Sequence, residues 1–323
     1  NSAGQPFGYG VYCVDTPTNL IGSTIRNHSG SGGRGSGTQG FALTVTFSVA
    51  SESNKVRLEG NEIYTNIQSG ENQYSQSHTL NIGNASDIVV INNVVRDNRA
   101  PASDYSYYRS STMSLAGSSS TATMTVAGNV FVNNHVHGAR TEDTRGLYAM
   151  LASTGLLSMY GNTLSLQHYD YGIGGYGVGI SNMTVDVHDN IISHNGVVGM
   201  VLGSALTGKI YNNIVADNAG GGMTIGAVGF IQLYGNQIAG NTATTGAGIY
   251  VSGSNSLNMF DNLIVGNVAS KGGGIYYADG SPYTTNNTIA YNGATSAYEP
   301  GGGGVYMATA SPHLANNILY YNQ

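Results

Sequence analysis

Hydrophobic residues recur along most of the chain inside a short unit that begins and ends with asparagine. In segment 61–66 (Asn-Glu-Ile-Tyr-Thr-Asn) and segment 236–241 (Asn-Gln-Ile-Ala-Gly-Asn), an apolar residue fills the third position. That position is apolar in ten copies of the unit, and nine copies have a further apolar residue three places before the first asparagine. Apolar residues that alternate in this way predict short β-strands with one buried face.

The copies follow one another at intervals of 23 to 36 residues, measured between their first asparagines. Several short strands in a repeat of that length are typical of one coil of a parallel β-solenoid. Identical amides on successive coils can form a hydrogen-bonded ladder, and asparagine also tolerates the left-handed bend between strands. We therefore expect both roles for the first asparagine of each copy: Asn61, Asn93, Asn129, Asn162, Asn190, Asn213, Asn236, Asn262, Asn287 and Asn317.

The repeat also predicts how the chain is organised. Segment 23–28 is a degenerate eleventh copy, so an all-β parallel β-helix of about 10 to 11 coils is expected over residues 23–323. Residues 1–22 are less regular and are interpreted as an N-terminal cap or an incomplete coil. Two stretches that break the rhythm, near 100–123 and 294–304, are expected to be loop insertions, the usual place for binding surfaces on a solenoid.

The repeats resemble those of a known fold family. The sequence Ile-Ala-Gly-Asn241 together with Gly-Ala-Gly-Ile249 and Gly-Gly-Gly-Ile275 is similar to the repeats of polymorphic outer-membrane proteins and related bacterial surface β-helix proteins. More broadly, the chain resembles the right-handed parallel β-helices of the pectate-lyase-like superfamily. The resemblance implies the fold, and it leaves adhesins, lyases, hydrolases and epimerases as candidate functions.

Composition narrows the class of protein further. Of 323 residues, 48 are Gly and 34 are Asn, and only 9% are charged, which excludes a helical protein because these two residue types are poor helix formers. The 11 basic residues are too scattered to follow a nucleic-acid backbone. Their scarcity also makes strongly anionic polymers unfavourable partners. Cys13 is the single cysteine, so no intrachain disulfide framework exists. No apolar run is long enough for a membrane span, and a secreted or cell-surface chain is expected.

The scarce charged and histidine residues suggest one candidate catalytic patch. Arg99, His135 and His168 each lie six residues after the first asparagine of three consecutive coils, so they are expected to stack in a column. His137 and Asp170 each lie eight residues after and should share that face. Such a patch could perform acid–base chemistry on a sugar, with Asp170 orienting His137 and Arg99 neutralising a developing anion. An ordinary solvated strand face is the alternative, and a metal site is a weaker one.

A column of aromatic residues is predicted two places before the first asparagine of five successive coils. Its members are Tyr160, His188, Tyr211, Tyr234 and Phe260. The four phenyl and phenol rings could contact a glycan, and the same stacking could equally stabilise the sheet.

Three functions are therefore compatible with the sequence. The first is an extracellular structural or adhesive rod that assembles with itself, end to end or laterally, into a surface filament. The second is a polysaccharide lyase, hydrolase or epimerase. The third is a β-helix that binds cell-surface glycans without turnover. No cofactor and no metal ion is expected.

Overall fold

A computed structural model describes residues 10–31, 39–69, 77–100, 111–136, 147–169, 175–226, 228–253, 256–296 and 300–323. These ranges contain no α-helix, and their strands pair in parallel wherever a register is defined. The chain divides into two compact units. Unit 1 comprises Asn1–Ser158 and Asn162–Val178, and unit 2 comprises Met159–Gly161 and Gly179–Gln323.

Unit 1 consists of coils whose strands form successive parallel columns, such as β3–β7–β11–β15–β18 and β4–β8–β12–β16–β19. Its strands are β1 (Val11–Val14), β2 (Thr18–Ile21), β3 (Thr24–Arg26), β4 (Ser29–Ser31), β5 (Gln39–Thr46), β6 (Lys55–Glu59), β7 (Glu62–Tyr64), β8 (Ile67–Ser69), β9 (Ser77–Ala85), β10 (Asp87–Ile91), β11 (Val94–Arg96), β12 (Arg99–Ala100), β13 (Ser111–Gly117), β14 (Thr123–Ala127), β15 (Val130–Val132), β16 (His135–Val136), β17 (Leu147–Tyr160, whose last two residues belong to unit 2), β18 (Thr163–Ser165) and β19 (His168–Tyr169).

Unit 2 has the same coil plan with shorter connections. Its strands are β20 (Gly175–His188, which begins in unit 1), β21 (Ile191–Ser193), β22 (Val198–Leu202), β23 (Thr207–Tyr211), β24 (Ile214–Ala216), β25 (Met223–Ile225), β26 (Ile231–Tyr234), β27 (Gln237–Ala239), β28 (Thr242–Thr245), β29 (Ile249–Val251), β30 (Leu257–Phe260), β31 (Leu263–Val265), β32 (Val268–Lys271), β33 (Ile275–Tyr277), β34 (Tyr283–Thr285), β35 (Thr288–Ala290), β36 (Gly293–Ala294), β37 (Val305–Met307), β38 (His313–Ala315) and β39 (Ile318–Tyr320).

The core of each unit is a stack of the apolar residues that the repeat marks. In unit 1, the third-position residues Ile63, Val95, Phe131 and Leu164 are cross-strand neighbours and are fully buried. Burying a side chain of this size contributes about 1.5–3 kcal/mol, so stability accumulates coil by coil. In the last coil of unit 2, by contrast, Leu319 is 54% exposed.

The predicted asparagine ladder is present in both units, and its bonding is saturated. In unit 1, Asn61 Nδ2 donates to Asn93 Oδ1 (2.8 Å), and the backbone N–H of Asn61 donates to the same oxygen (2.9 Å). The second amide hydrogen of Asn93 reaches the Leu58 carbonyl of the preceding coil (2.9 Å). Equivalent bonds join Asn190, Asn213, Asn236, Asn262, Asn287 and Asn317 in unit 2.

A second amide ladder follows five residues after the first. It joins Asn66, Asn98 and Asn134 in unit 1, where Gln167 Nε2 occupies the next equivalent place and donates to the Phe131 carbonyl (3.0 Å). In unit 2 it runs through Asn195, Asn218, Asn241, Asn267, Asn292 and Asn322. Within these runs of asparagine, each coil is thus held to the next by two side-chain amides.

The prediction that the ladder asparagines form the left-handed bends is wrong. The bend falls on the preceding residue, as at Gly60 (φ 61°), Asn92 (φ 54°) and Asn212 (φ 53°). The reason is that a ladder asparagine must direct its amide inward while its own N–H reaches the amide oxygen of the next coil. The chain therefore has to turn one residue earlier, where the side chain is free to point outward.

Both predicted loop insertions are too wide. Part of the stretch 100–123 is strand β13, which pairs with β9 and buries Met113 and Leu115, while residues 101–110 lie outside the described ranges. In the stretch 294–304, the Gly303 carbonyl accepts a hydrogen bond from the N–H of Gly274 on the preceding coil (2.8 Å). The glycines at the end of this stretch therefore stack on that coil. At the N-terminal side, β1 and β2 pair in parallel with β5 and β6, as strands of a coil do.

Candidate functional site

The column of Arg99, His135 and His168 is formed as counting along the repeat predicts. Arg99 on β12 is the Cα partner of His135 on β16, which in turn is the partner of His168 on β19. Parallel neighbours in a sheet are about 4.8 Å apart, so the three positions lie on successive steps of one surface of unit 1. The Arg99 side chain is exposed and that of His135 is half-buried.

The second amide ladder holds this column in place. Arg99 directly follows Asn98, and His135 directly follows Asn134. Asn98 Nδ2 donates to Asn134 Oδ1 (3.0 Å), and the His135 N–H donates to the Asn98 carbonyl (2.7 Å). Because a slip of one residue would break buried amide bonds, the register of Arg99 and His135 is fixed by the core beneath them.

Two other predicted members of the patch, His137 and Asp170, lie outside the described residues. Their proximity to His135 therefore stays a prediction, as does the catalytic role of the column. Within the described ranges, no group of three or more His, Cys, Asp or Glu side chains is placed to hold a metal ion.

The aromatic column of unit 2 is a continuous ring stack. Neighbouring rings from Tyr160 through His188, Tyr211 and Tyr234 to Phe260 have centroids 4.8 to 5.2 Å apart and planes within 15° of parallel. Each inner ring has both faces covered by its neighbours. This column therefore presents ring edges and tyrosine hydroxyls to solvent. A glycan would contact the edges of the rings rather than their faces.

Two oppositely charged residues lie beside this column on neighbouring strands. Asp186 and Lys209 are Cα partners on β20 and β23, yet no ion pair joins them. Partial burial, together with the negative charge of the nearby Asp186 carboxylate, raises the pKa of Tyr211.

Sequence reasoning missed a second aromatic column in unit 2. Tyr250, Tyr276 and Tyr306 stack with centroids 5.3 and 5.2 Å apart, and the Lys271 ammonium lies 5.5 Å from the Tyr306 ring centroid. A signal was present, because each tyrosine follows the apolar residue that ends a glycine-rich corner.

The stacked parallel columns and the two amide ladders are those of a right-handed parallel β-helix, and that is the fold of this chain. Residues 153–289 match the family described as the right handed beta helix region. No curated protein matches the chain.

Solved structures of the periplasmic alginate epimerase AlgG resemble the chain. A threonine-to-asparagine mutant of that enzyme superimposes with a TM-score of 0.51 at 12% identity, covering 96% of this chain and 78% of the enzyme. An aspartate-to-alanine mutant gives 0.49 over the same coverage. At this identity the likeness establishes the fold alone. Within the described residues, no helix is long and apolar enough to cross a membrane.

Proposed function

We propose that this chain is an extracytoplasmic, polysaccharide-active β-helix whose acid–base chemistry takes place at the column of Arg99, His135 and His168. The observation that carries the proposal is the register that puts Arg99 and the two histidines on successive coils. The similarity of the fold to that of a periplasmic polysaccharide epimerase supports this function over an adhesive rod.

The column offers the groups that proton transfer at a sugar carbon or oxygen needs. A neutral histidine ring can accept a proton, and its protonated form can return one to the product. Arg99 can hold a sugar carboxylate and offset the negative charge that develops when a proton leaves the adjacent carbon. His137 and Asp170 are the proposed further members, with Asp170 orienting the ring of His137.

The overall charge limits which polymers this column can recognise. The chain carries a net charge of −6 with only 11 basic residues, so the surface as a whole offers little attraction for a polyanion, and a local cation has to supply it. We therefore expect recognition of one acidic sugar unit at Arg99, with affinity that falls as salt is added.

The test is an activity screen on polygalacturonate, alginate and a neutral glucan. Elimination is followed by absorbance of the unsaturated product, hydrolysis by reducing ends, and epimerisation by proton NMR. We expect activity on an acidic polymer that falls at least 100-fold in His135→Ala and Asp170→Asn and is retained in His194→Ala, which changes an exposed histidine of unit 2. Inactivity on all three polymers, or activity unchanged in His135→Ala, would contradict the proposal.

The structural or adhesive rod remains a second candidate, because the amide ladders join coil to coil through one repeated bond that a further coil of the same kind could continue. Electron microscopy at neutral pH tests it directly. Filaments in which one particle abuts the next would support self-assembly, and dispersed single particles at high concentration would exclude it.

A further inference from the structure

A groove of about 480 Å³ opens on the surface of unit 1, apart from the column of Arg99 and His135. It lies where three successive coils pass from one strand column to the next, and its shape follows from connections of unequal length. Residues 47–54 join β5 to β6 and residues 118–122 join β13 to β14, whereas Ser86 alone joins β9 to β10. The two longer connections are therefore walls, with Ser86 and Asp87 lining the floor between them.

The two walls carry the same hydroxyl arrangement. In one wall Ser51 Oγ lies 2.9 Å from Ser53 Oγ, and in the other Ser119 Oγ lies 3.0 Å from Thr121 Oγ1. In each case the N–H of the later residue also donates to the hydroxyl of the earlier one, at 3.3 Å. Two similar hydroxyl-bearing turns thus line opposite sides of the groove.

Three charged side chains line the groove, those of Glu52, Lys55 and Asp87, and their charges nearly cancel. Asp87 on the floor is the Cα partner of both Lys55 and Thr123, and it accepts a hydrogen bond from Thr123 Oγ1 (2.7 Å). Neither the Lys55 ammonium nor the Glu52 carboxylate is paired with another described side chain. One cation and two carboxylates leave a net charge of −1, which opposes binding of an anion.

The groove is preorganised by bonds behind its first wall. Asp15 accepts hydrogen bonds from the N–H of Ser48 (2.5 Å) and from its hydroxyl (2.9 Å). Buried Asn54 donates to the carbonyls of Val49 (2.8 Å) and Asn84 (3.2 Å). A ligand therefore pays little ordering entropy for this wall, which favours binding.

We propose that this groove binds one neutral sugar unit of a glycan. The walls stand on coils two steps apart, roughly 10 Å between backbones, which leaves a slot about as wide as a pyranose ring once side chains are counted. Serine and threonine hydroxyls can both donate to and accept from sugar hydroxyls, while Asp87 and Glu52 accept and Lys55 donates. The ligand class rests in part on the proposed function, since both assign glycans to this chain.

The test is isothermal titration with three neutral probes, cellotetraose, mannotetraose and maltotetraose, and one acidic probe, tetragalacturonate. We expect at least one neutral probe to bind. Thr121→Trp should weaken that binding at least tenfold by filling the groove from an exposed wall, and Asp87→Asn should weaken it several-fold. Thr242→Trp, which makes the same change at an exposed threonine of unit 2, should have no effect.

The outcomes separate this proposal from the proposed function. Binding of a neutral probe that survives His135→Ala but is lost in Thr121→Trp supports the groove, whatever the acidic probe does. Failure of all three neutral probes to bind at millimolar concentration, binding unchanged in Thr121→Trp, or binding of calcium without any sugar would overturn it. If Thr121→Trp unfolds, Lys55→Ala at the exposed Lys55 gives the same comparison.

Discussion

His78 and Ser111 form a buried hydrogen bond in unit 1, with His78 Nδ1 2.7 Å from Ser111 Oγ and neither residue accessible to solvent. The two are cross-strand partners on β9 and β13. In the part of the chain that the structure describes, His78 Nε2 has no hydrogen-bond partner. Burial therefore opposes a charge on this ring and lowers the pKa of His78 from 6.5 to about 3.

This buried histidine predicts that acid destabilises unit 1. The unfolded chain binds the proton near pH 6.5 and the folded chain only near pH 3, so lowering the pH across that window favours unfolding. The loss should approach about 1.4 kcal/mol for each pH unit below 6. Urea unfolding at pH 7 and pH 4.5 measures it. His78→Gln should flatten the dependence, and an equal slope in His78→Gln and wild type would contradict the assignment.

The amide ladder predicts a large cost for removing one inner asparagine. In Asn213→Ala, the N–H and Nδ2 of Asn190 lose their shared acceptor, and the Val187 carbonyl loses a donor. Since each buried polar group left unpaired costs about 1–3 kcal/mol, we expect a loss of several kcal/mol. Asn258→Ala, which lies outside both ladders on strand β30 two coils away, should change the free energy of unfolding by less than about 0.5 kcal/mol. Similar losses in the two variants would argue against the ladder.

One left-handed residue predicts a stabilising substitution. Leu166 has φ 52° and its side chain is 45% exposed, whereas asparagine holds the equivalent place at Asn27 and Asn133. Because this conformation costs a leucine about 1–2 kcal/mol and asparagine much less, Leu166→Asn should raise the free energy of unfolding by about 1 kcal/mol. Leu156→Asn, at an exposed leucine within strand β17, should be neutral or destabilising. Thermal unfolding of the two variants and the wild type measures the difference, and a melting temperature of Leu166→Asn below that of the wild type would refute the argument.

The ring stack predicts unequal costs along its length. Tyr234 stacks on Tyr211 and Phe260 at 5.0 and 4.9 Å, whereas among the described rings Phe260 stacks on Tyr234 alone. With about 0.5–1.5 kcal/mol per stacked pair, Tyr234→Ala should cost more than Phe260→Ala by roughly one pair. Denaturant titration of both variants measures the difference. The same proteins test glycan binding, because a platform function requires that Tyr234→Ala also weaken it.

Much of the fold could be predicted because two independent patterns agree. The apolar residue at the third position and the asparagine beside it mark the same face of the same strand, so Ile63 and Asn61 specify one register together. Counting from that asparagine was then enough to align Arg99 with His135, thirty-six residues away.

Features that depend on the choice of one contact among several could not be predicted. The spacing that makes Asp186 and Lys209 cross-strand partners does not reveal that their side chains form no ion pair. The groove beside Ser86 arises from a difference in length between neighbouring connections, which no apolar pattern encodes. The positions of the left-handed bends could have been predicted, because most residues directly before a ladder asparagine are Gly, Asn or Asp.

The ladders also have a direction. From Asn190 to Asn287, one side-chain N–H of each ladder asparagine is donated to the amide oxygen of the next asparagine along the ladder, while the other bonds a backbone carbonyl of the preceding coil. The side-chain bonds of the second ladder of unit 2 run the same way. A copied coil inserted in the same orientation would find an acceptor on one side and a donor on the other. An inverted coil would set donor against donor. Such a chain can lengthen by tandem duplication without changes to its buried residues. This accounts for coils whose outward loops differ widely while their ladder amides stay the same.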